Sequence, residues 1–195
     1  MPDTPAMGRR ERKKAATRQA IADAAMELFL EHGFERVSVR DVAEKADVST
    51  TTLFVHFPGK EALVFDREEE VERALIAAVR ERPEGQSVIE ALRAHALNAW
   101  ASVASDARLH RLAALVDRTP ALREYAERMW TRHAGALSAV IAEELGRKAD
   151  DLACAALARF VMDVPALIRG RPDPRAAVNA VFDLLIEGWR AQRDA

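Results

Sequence analysis

Apolar residues return every three or four positions along almost the whole chain, and the breaks between such runs fall on glycine and proline. That period is the one of an α-helix, roughly 3.6 residues per turn, and not the alternation of a strand. A chain written this way can bury its apolar stripes only by packing helix on helix. Ile21, Ala24, Ala25, Leu28 and Phe29 make one stripe in a helix over 12–32, and Gly33 follows where a left-handed C-cap is expected. Ser38-Val-Arg-Asp41 has the form of a capping box and opens a short second helix whose apolar face is Val39, Val42, Ala43 and Ala46. Asp47-Val48-Ser49 separates it from a third segment, Thr50 to Phe57, which Pro58-Gly59 closes.

Longer elements follow. The pattern predicts helices over 60–82, 87–104 (with Ser87 as cap), 107–116, 120–145, 149–168 and 174–192, divided by Pro83-Glu84-Gly85, Thr119-Pro120, Gly146 and Gly170-Arg-Pro172. No strand signal, internal repeat or low-complexity tract interrupts them. The expected fold is all-α with about nine helices: an N-terminal three-helix helix-turn-helix domain and a C-terminal helical domain for ligand binding and dimerisation. The boundaries expected are a basic disordered arm over 1–11, the DNA-binding domain over 12–60 and the second domain over 61–195.

Composition narrows the function classes. Of 195 residues, 49% are hydrophobic and 31% charged, enough apolar material for a core and enough charge for a soluble surface. No apolar run approaches the ~18 residues of a membrane span, and no apolar segment follows the basic N-terminus as in a secretory signal, so a cytoplasmic protein without membrane association is expected. Cys154 stands alone and reads as a small core residue, which leaves no intrachain disulfide and no cysteine-rich metal site. The five histidines (His32, His56, His95, His110 and His133) show no i, i+4 metal pair. G-x-G-x-x-G, P-loop and H-E-x-x-H patterns are absent, so neither an enzyme, nor a cofactor, nor a metal is expected.

Charge distribution matters more than the formal total of −2. Arg9, Arg10, Arg12, Lys13, Lys14 and Arg18 against Glu11 give residues 9–18 a charge of +5, so the remainder carries −7. A basic arm on an acidic body can follow phosphates, although a solvated tail carries the same signature.

Two short helices three residues apart, after an amphipathic first helix, make a helix-turn-helix. Ala43, Val48 and Leu53 supply the small shared core that sets the angle between them. Thr50, Thr51, Val55 and His56 then face outward, and short side chains able to hydrogen-bond are what a helix in a major groove ~12 Å wide presents. Ser49 is placed to cap that helix. A three-helix corner with no DNA role has the same outline.

Residues 18–64 also resemble the DNA-binding domain of the tetracycline-repressor (TetR) family. The resemblance covers about a quarter of the chain and rests on agreement at Ala25, Phe29, Gly33, Val39, Val42, Ala43, Ala46, Val48, Ser49, Leu53, His56, Phe57, Lys60 and Leu63. It implies that Arg40 contacts a base or phosphate and that Thr50, Thr51 and Val55 set sequence preference. It places Thr52, Phe54, His56 and Lys60 at backbone-contacting or supporting positions, Lys60 gripping phosphate from just inside the fourth helix. Ser38 and Ser49, at the helix starts, complete the DNA-facing set. Two positions depart from the family: Asp47 stands where glycine is usual in the turn, and Phe54 where tyrosine is common. Aspartate tolerates a positive φ better than most residues, so the turn should survive, and Phe54 keeps a ring for support without the phosphate-binding hydroxyl.

For the rest of the chain the resemblance implies effector sensing and a homodimer through the last two helices. Candidate walls for a largely apolar small-molecule effector are His95, Trp100, His110, Met129, Trp130, Phe160, Met162 and Asp163, although each residue taken singly reads more readily as ordinary core, Asp163 excepted. Asp163, in an apolar stretch, is either buried with a partner or at a polar edge. Val178, Val181, Phe182, Leu185 and Trp189 form a stripe for a dimer interface or for the monomer core. The function implied is a ligand-responsive transcriptional regulator, repression being the family's usual mode, that binds a palindromic double-stranded operator and is released by its effector. A helical protein-interaction module without DNA binding is the alternative.

Overall fold

The computed structural model describes residues 8–193, apart from the side chains of 103–105 and 189–193. Among them the regular elements are nine α-helices and one short 3-10 turn. They sort into two compact units, the chain up to Asp66 together with Arg111–Arg123, and Arg67–His110 together with Glu124 onward. The boundary expected at 60/61 is therefore displaced, and a later segment joins the first unit. The sequence hides this because the burial of Ala62, Leu63 and Val64 and the bond from Arg111 Nη2 to the Leu30 carbonyl (2.9 Å) are tertiary.

The first unit opens with α1 (Arg9–His32). Of the expected disordered arm, residues 1–7 lie outside the described residues, while Arg9–Glu11 are already helical. The Glu11 carboxylate accepts from the Gly8 amide at 3.2 Å, and an acid in the first turn suits the helix dipole. Ile21, Ala25 and Phe29 are completely buried. Gly33 ends α1 with φ 84° and ψ 152°. This is not the left-handed helical cap expected but an extended mirror conformation open essentially to glycine alone. A turn over 34–36 follows, and Phe34 packs on Phe29 with ring centroids 5.1 Å apart.

α2 (Val39–Lys45) and α3 (Thr50–His56) follow. Past α3 the structure departs from expectation, because no helix runs from Lys60. The chain makes a 3-10 turn at Glu61–Leu63 and turns on to Arg67 before α4 (Glu68–Arg80) begins. Ala62, Leu63 and Val64 are all buried in this turn. Three glutamates, Glu68, Glu69 and Glu70, then form the first turn of α4, where the dipole favours them.

α5 (Val88–Ser105), α6 (Ala107–Arg118), α7 (Pro120–Glu144), α8 (Leu152–Ile168) and α9 (Pro174–Arg193) complete the chain. Ser87 caps α5 as expected, its hydroxyl accepting from the Glu90 amide (3.3 Å) while the Glu90 carboxylate accepts from the Ser87 amide (3.0 Å). In the second unit α5 packs on α4 and α9, and α8 on α9. Leu75, Leu92, Leu137, Ile141, Leu157, Val161 and Phe182 are among the side chains of its core. Cys154 is buried there too, as expected of a small core residue, and burial pushes its thiol up to about 11. Ion pairs Arg80–Glu143 (2.8 Å) and Arg93–Asp183 tie helices together at the rim, and Arg82, just past α4, pairs with Glu144 (2.6 Å). No helix among the described residues is long and apolar enough to cross a membrane.

The α9 stripe resolves in favour of the core. Val178 and Phe182 are wholly buried, and Val181 and Leu185 pack against the same cluster; the side chain of Trp189 lies outside the described residues. The helix carries a second, outward stripe, Ala176, Ala180, Leu184 and Gly188, all exposed. Sequence pattern alone could not say which stripe faces in, because both repeat at four-residue spacing.

Candidate nucleic-acid interface

Short helices need their ends satisfied, since four amide and four carbonyl groups lack intrahelical partners at the two ends. α2 meets this with the expected box: Ser38 Oγ accepts from the Asp41 amide (3.2 Å), and Asp41 Oδ2 accepts from the Ser38 amide (2.7 Å) and hydroxyl (2.7 Å). These bonds hold the Asp41 carboxyl below its ordinary value. Ser38 is therefore engaged in the cap. Its neighbour on α2, Arg40, is exposed. The turn into α3 contains Asp47 at φ 53°, the one positive-φ residue other than glycine among the described residues, so the turn survives with aspartate in place of glycine. The Val48 amide returns to the Ala43 carbonyl at 3.0 Å, closing the corner.

Ser49 caps α3 as expected, accepting from the Thr52 amide at 3.0 Å, with its hydroxyl 2.8 Å from that of Thr52. Leu53 and Phe57 are buried and anchor the helix on α1 and α2. The opposite face is open: Thr50 and Thr51 are exposed, Phe54 is 53% exposed and Val55 72%. Phe54 thus stands about half in solvent beside them. Thr52 and His56 are half-buried. His56 Nδ1 is sealed without a hydrogen-bond partner, and burial, then the charges of Arg18 and Lys14, lower its pKa below 6.5.

Lys60 is not on a helix, and its ammonium stands 4.1 Å from the Phe34 ring centroid and 5.9 Å from that of Phe29. This cation–π seat orients the charge without using it up. Sequence reasoning missed the role of Arg18. Counted with the basic arm, it is half-buried, and its guanidinium donates to the carbonyls of His56 (2.6 Å) and Asp66 (2.9 Å) across the Phe57 ring. No local signal could have revealed partners 38 and 48 residues away. Arg9, Arg10, Arg12, Lys13 and Lys14 do stay exposed along α1.

The effector candidates are less coherent. Trp100, Trp130 and Met162 share the core of the second unit. His95 is half-buried on α5, its pKa lowered by burial, and Met129 is buried on α7. His110 and Phe160 are exposed, on helix faces that turn outward. Asp163 is at a polar edge, half-exposed and paired with Arg159 one turn back (3.4 Å). An open groove of about 520 Å³ along α4, lined by Glu70, Arg73, Ile76, Ala77 and Arg80, includes none of these residues. The polar feature that sequence reasoning overlooked is His133, wholly buried on α7, with Nε2 3.4 Å from Glu72 and 4.0 Å from Glu68 on α4. Glu68 also accepts from Tyr125 Oη (3.0 Å) and from Arg132.

A capped, outward-facing third helix fixed by a tight turn to a second, with basic side chains along the first, defines a helix-turn-helix DNA-binding unit. Known proteins agree. Residues 21–66 match the model of the bacterial regulatory proteins of the tetR family. The transcriptional regulator TcmR of Streptomyces glaucescens is 32% identical over 151 residues, 74% of this chain and 67% of that protein. A tetR-family regulator from Streptomyces coelicolor superposes with a TM-score of 0.62 at 21% identity, covering 93% of this chain and 96% of that one. The triclosan complex of SmeT, from Stenotrophomonas maltophilia, gives 0.60 at 22% identity, covering 89% and 91%. The chain belongs to the tetR family and is a DNA-binding transcriptional regulator.

Proposed function

We propose that the chain is a ligand-responsive repressor, cytoplasmic and without enzymatic activity, that binds a palindromic operator as a homodimer and is released when a small molecule occupies its second unit. The observation that carries this reading is the outward face of α3. Phe54 and Val55 stand in solvent beside Thr50 and Thr51, while Leu53 of the same seven-residue helix is completely buried. Threonine hydroxyls can bond to base edges, and apolar side chains meet thymine methyl groups in the major groove. Arg40, Lys60 and the cations of α1 add phosphate contacts.

A second copy supports the palindrome, because two recognition helices on a two-fold axis reach half-sites ~34–36 Å apart. The exposed apolar stripe of α9 and the exposed Phe160 and Leu167 of α8 are suited to such a copy. For the effector, SmeT binds triclosan in its solved complex, and a largely apolar molecule is the corresponding reading here. Release requires that the effector prefer one spacing of the helices, since equal affinity for both shifts nothing.

The test is selection of duplexes from a random pool by the full-length protein. A palindromic consensus should emerge, with affinity falling steeply as salt rises. Thr51→Ala should change the base preferred at one position of each half-site. If no duplex is enriched, or the enriched ones carry no two-fold symmetry, the palindromic-operator reading fails.

A further inference from the structure

Of the six cations between residues 9 and 18, Arg18 is half-buried while the other five are exposed. We propose that Arg18 is a positioning residue for sequence readout: it clamps the C-terminal end of α3 onto α1, sets the pose in which Thr50, Thr51, Phe54 and Val55 meet the bases, and does not itself contact phosphate.

A helix of seven residues has few internal hydrogen bonds, and its pose depends on what grips it from outside. The first end of α3 is held by Ser49 and the middle by Leu53. The last turn leaves carbonyls without intrahelical partners, and one of them, at His56, takes a charge-assisted bond of 2.6 Å from Arg18 Nη1. Nη2 of the same guanidinium bonds the Asp66 carbonyl at 2.9 Å, and the Phe57 ring lies below it with its centroid 4.2 Å away. Three contacts converge on one rigid planar group, and a flat fork is what bridges two carbonyls over a ring. A lysine ammonium is a point charge and reaches one of them. The positive charge also sits at the negative end of α3, where the helix dipole favours it. With Nη1 and Nη2 each donating to a backbone carbonyl and the Phe57 ring against its face, the guanidinium is turned toward the protein.

The inference rests on the DNA-binding reading, and the experiment separates the two. Wild type, Arg18→Gln, Arg18→Lys and Arg12→Gln are each titrated, as full-length protein, against a duplex selected by the wild type and against a scrambled duplex of the same composition, over a series of salt concentrations. Failure to select any duplex removes the DNA-binding reading itself. If one is selected, Arg18→Gln should weaken binding to it about tenfold, change scrambled binding less than twofold and leave the salt slope unaltered. Arg12→Gln, an exposed cation, should weaken both duplexes alike and reduce the salt slope by about two, one for each subunit of the dimer. Arg18→Lys should lose discrimination to a smaller degree, and it carries the test should the glutamine variant be unfolded at the assay temperature. An unchanged ratio between the duplexes in both Arg18 variants overturns the proposal. A reduced slope makes Arg18 a phosphate contact, and equal loss with an unchanged slope makes it a plain stabiliser of the unit.

Discussion

His133 concentrates the electrostatics of the second unit in one side chain. It is 1% exposed, and neither ring nitrogen has a hydrogen-bond partner, although Glu72 and Glu68 of α4 approach it and Arg132 and Tyr125 of its own helix flank Glu68. Burial lowers its pKa below 6.5, and the two carboxylates only partly restore it. His56 and His95 are lowered by burial as well. All three bind protons less readily when folded than when unfolded, so their stabilisation is present above the unfolded value of 6.5 and is lost as the pH falls through it. Thermal melting should therefore show a lower midpoint at pH 5.5 than at 7.5; a higher midpoint at 5.5 would contradict the shifts. Replacing His133 by leucine removes two sealed polar atoms and should stabilise the protein by about 1 kcal/mol in urea titration at neutral pH, with a shallower loss on acidification. Nothing in the sequence marked His133 apart from the other histidines, because its partners lie on a different helix.

At the scale of the element, the helix-turn-helix was legible almost to the residue. Ser38, Asp41, Ser49 and Asp47 do locally what their chemistry dictates, and each acts within three residues of itself or through its own φ. Ser38→Ala should cost about 1 kcal/mol, read as an earlier urea midpoint with unchanged slope. Asp47→Gly should stabilise by up to about 1 kcal/mol, and Asp47→Val, branched at Cβ in a left-handed turn, should destabilise by more than that. If the glycine variant melts earlier, the strain attributed to φ 53° is not there. The stretch after Lys60 was misread as helix for a reason at the same scale. Its period continues, but Ala62, Leu63 and Val64 are buried together, which only neighbours distant in sequence can bring about.

For the whole molecule, the outward stripes of α8 and α9 are the features that a single chain leaves unexplained. Leu184 is 72% exposed, and Phe160 and Leu167 are about half exposed on α8. If the proposed homodimer forms through these stripes, Leu184→Glu and Phe160→Arg should each convert it to a monomer in light scattering while leaving the helical circular-dichroism signal intact. Since the proposed palindrome would be held by two linked contacts, affinity for it should fall at least about a hundredfold while binding to a single half-site persists. A variant that stays dimeric would place the interface elsewhere.

Periodicity, caps and turn chemistry are written in neighbouring residues, and they determined the all-helical class, the caps of the two short helices and the outward placing of Thr50, Thr51 and Val55. Which of two equally periodic stripes on α9 enters the core, which arginine of the basic run turns inward, and which histidine is sealed against two glutamates were decided only by the tertiary structure. Burial and pairing are properties of contacts between segments far apart in the chain, and no local pattern encodes the partner.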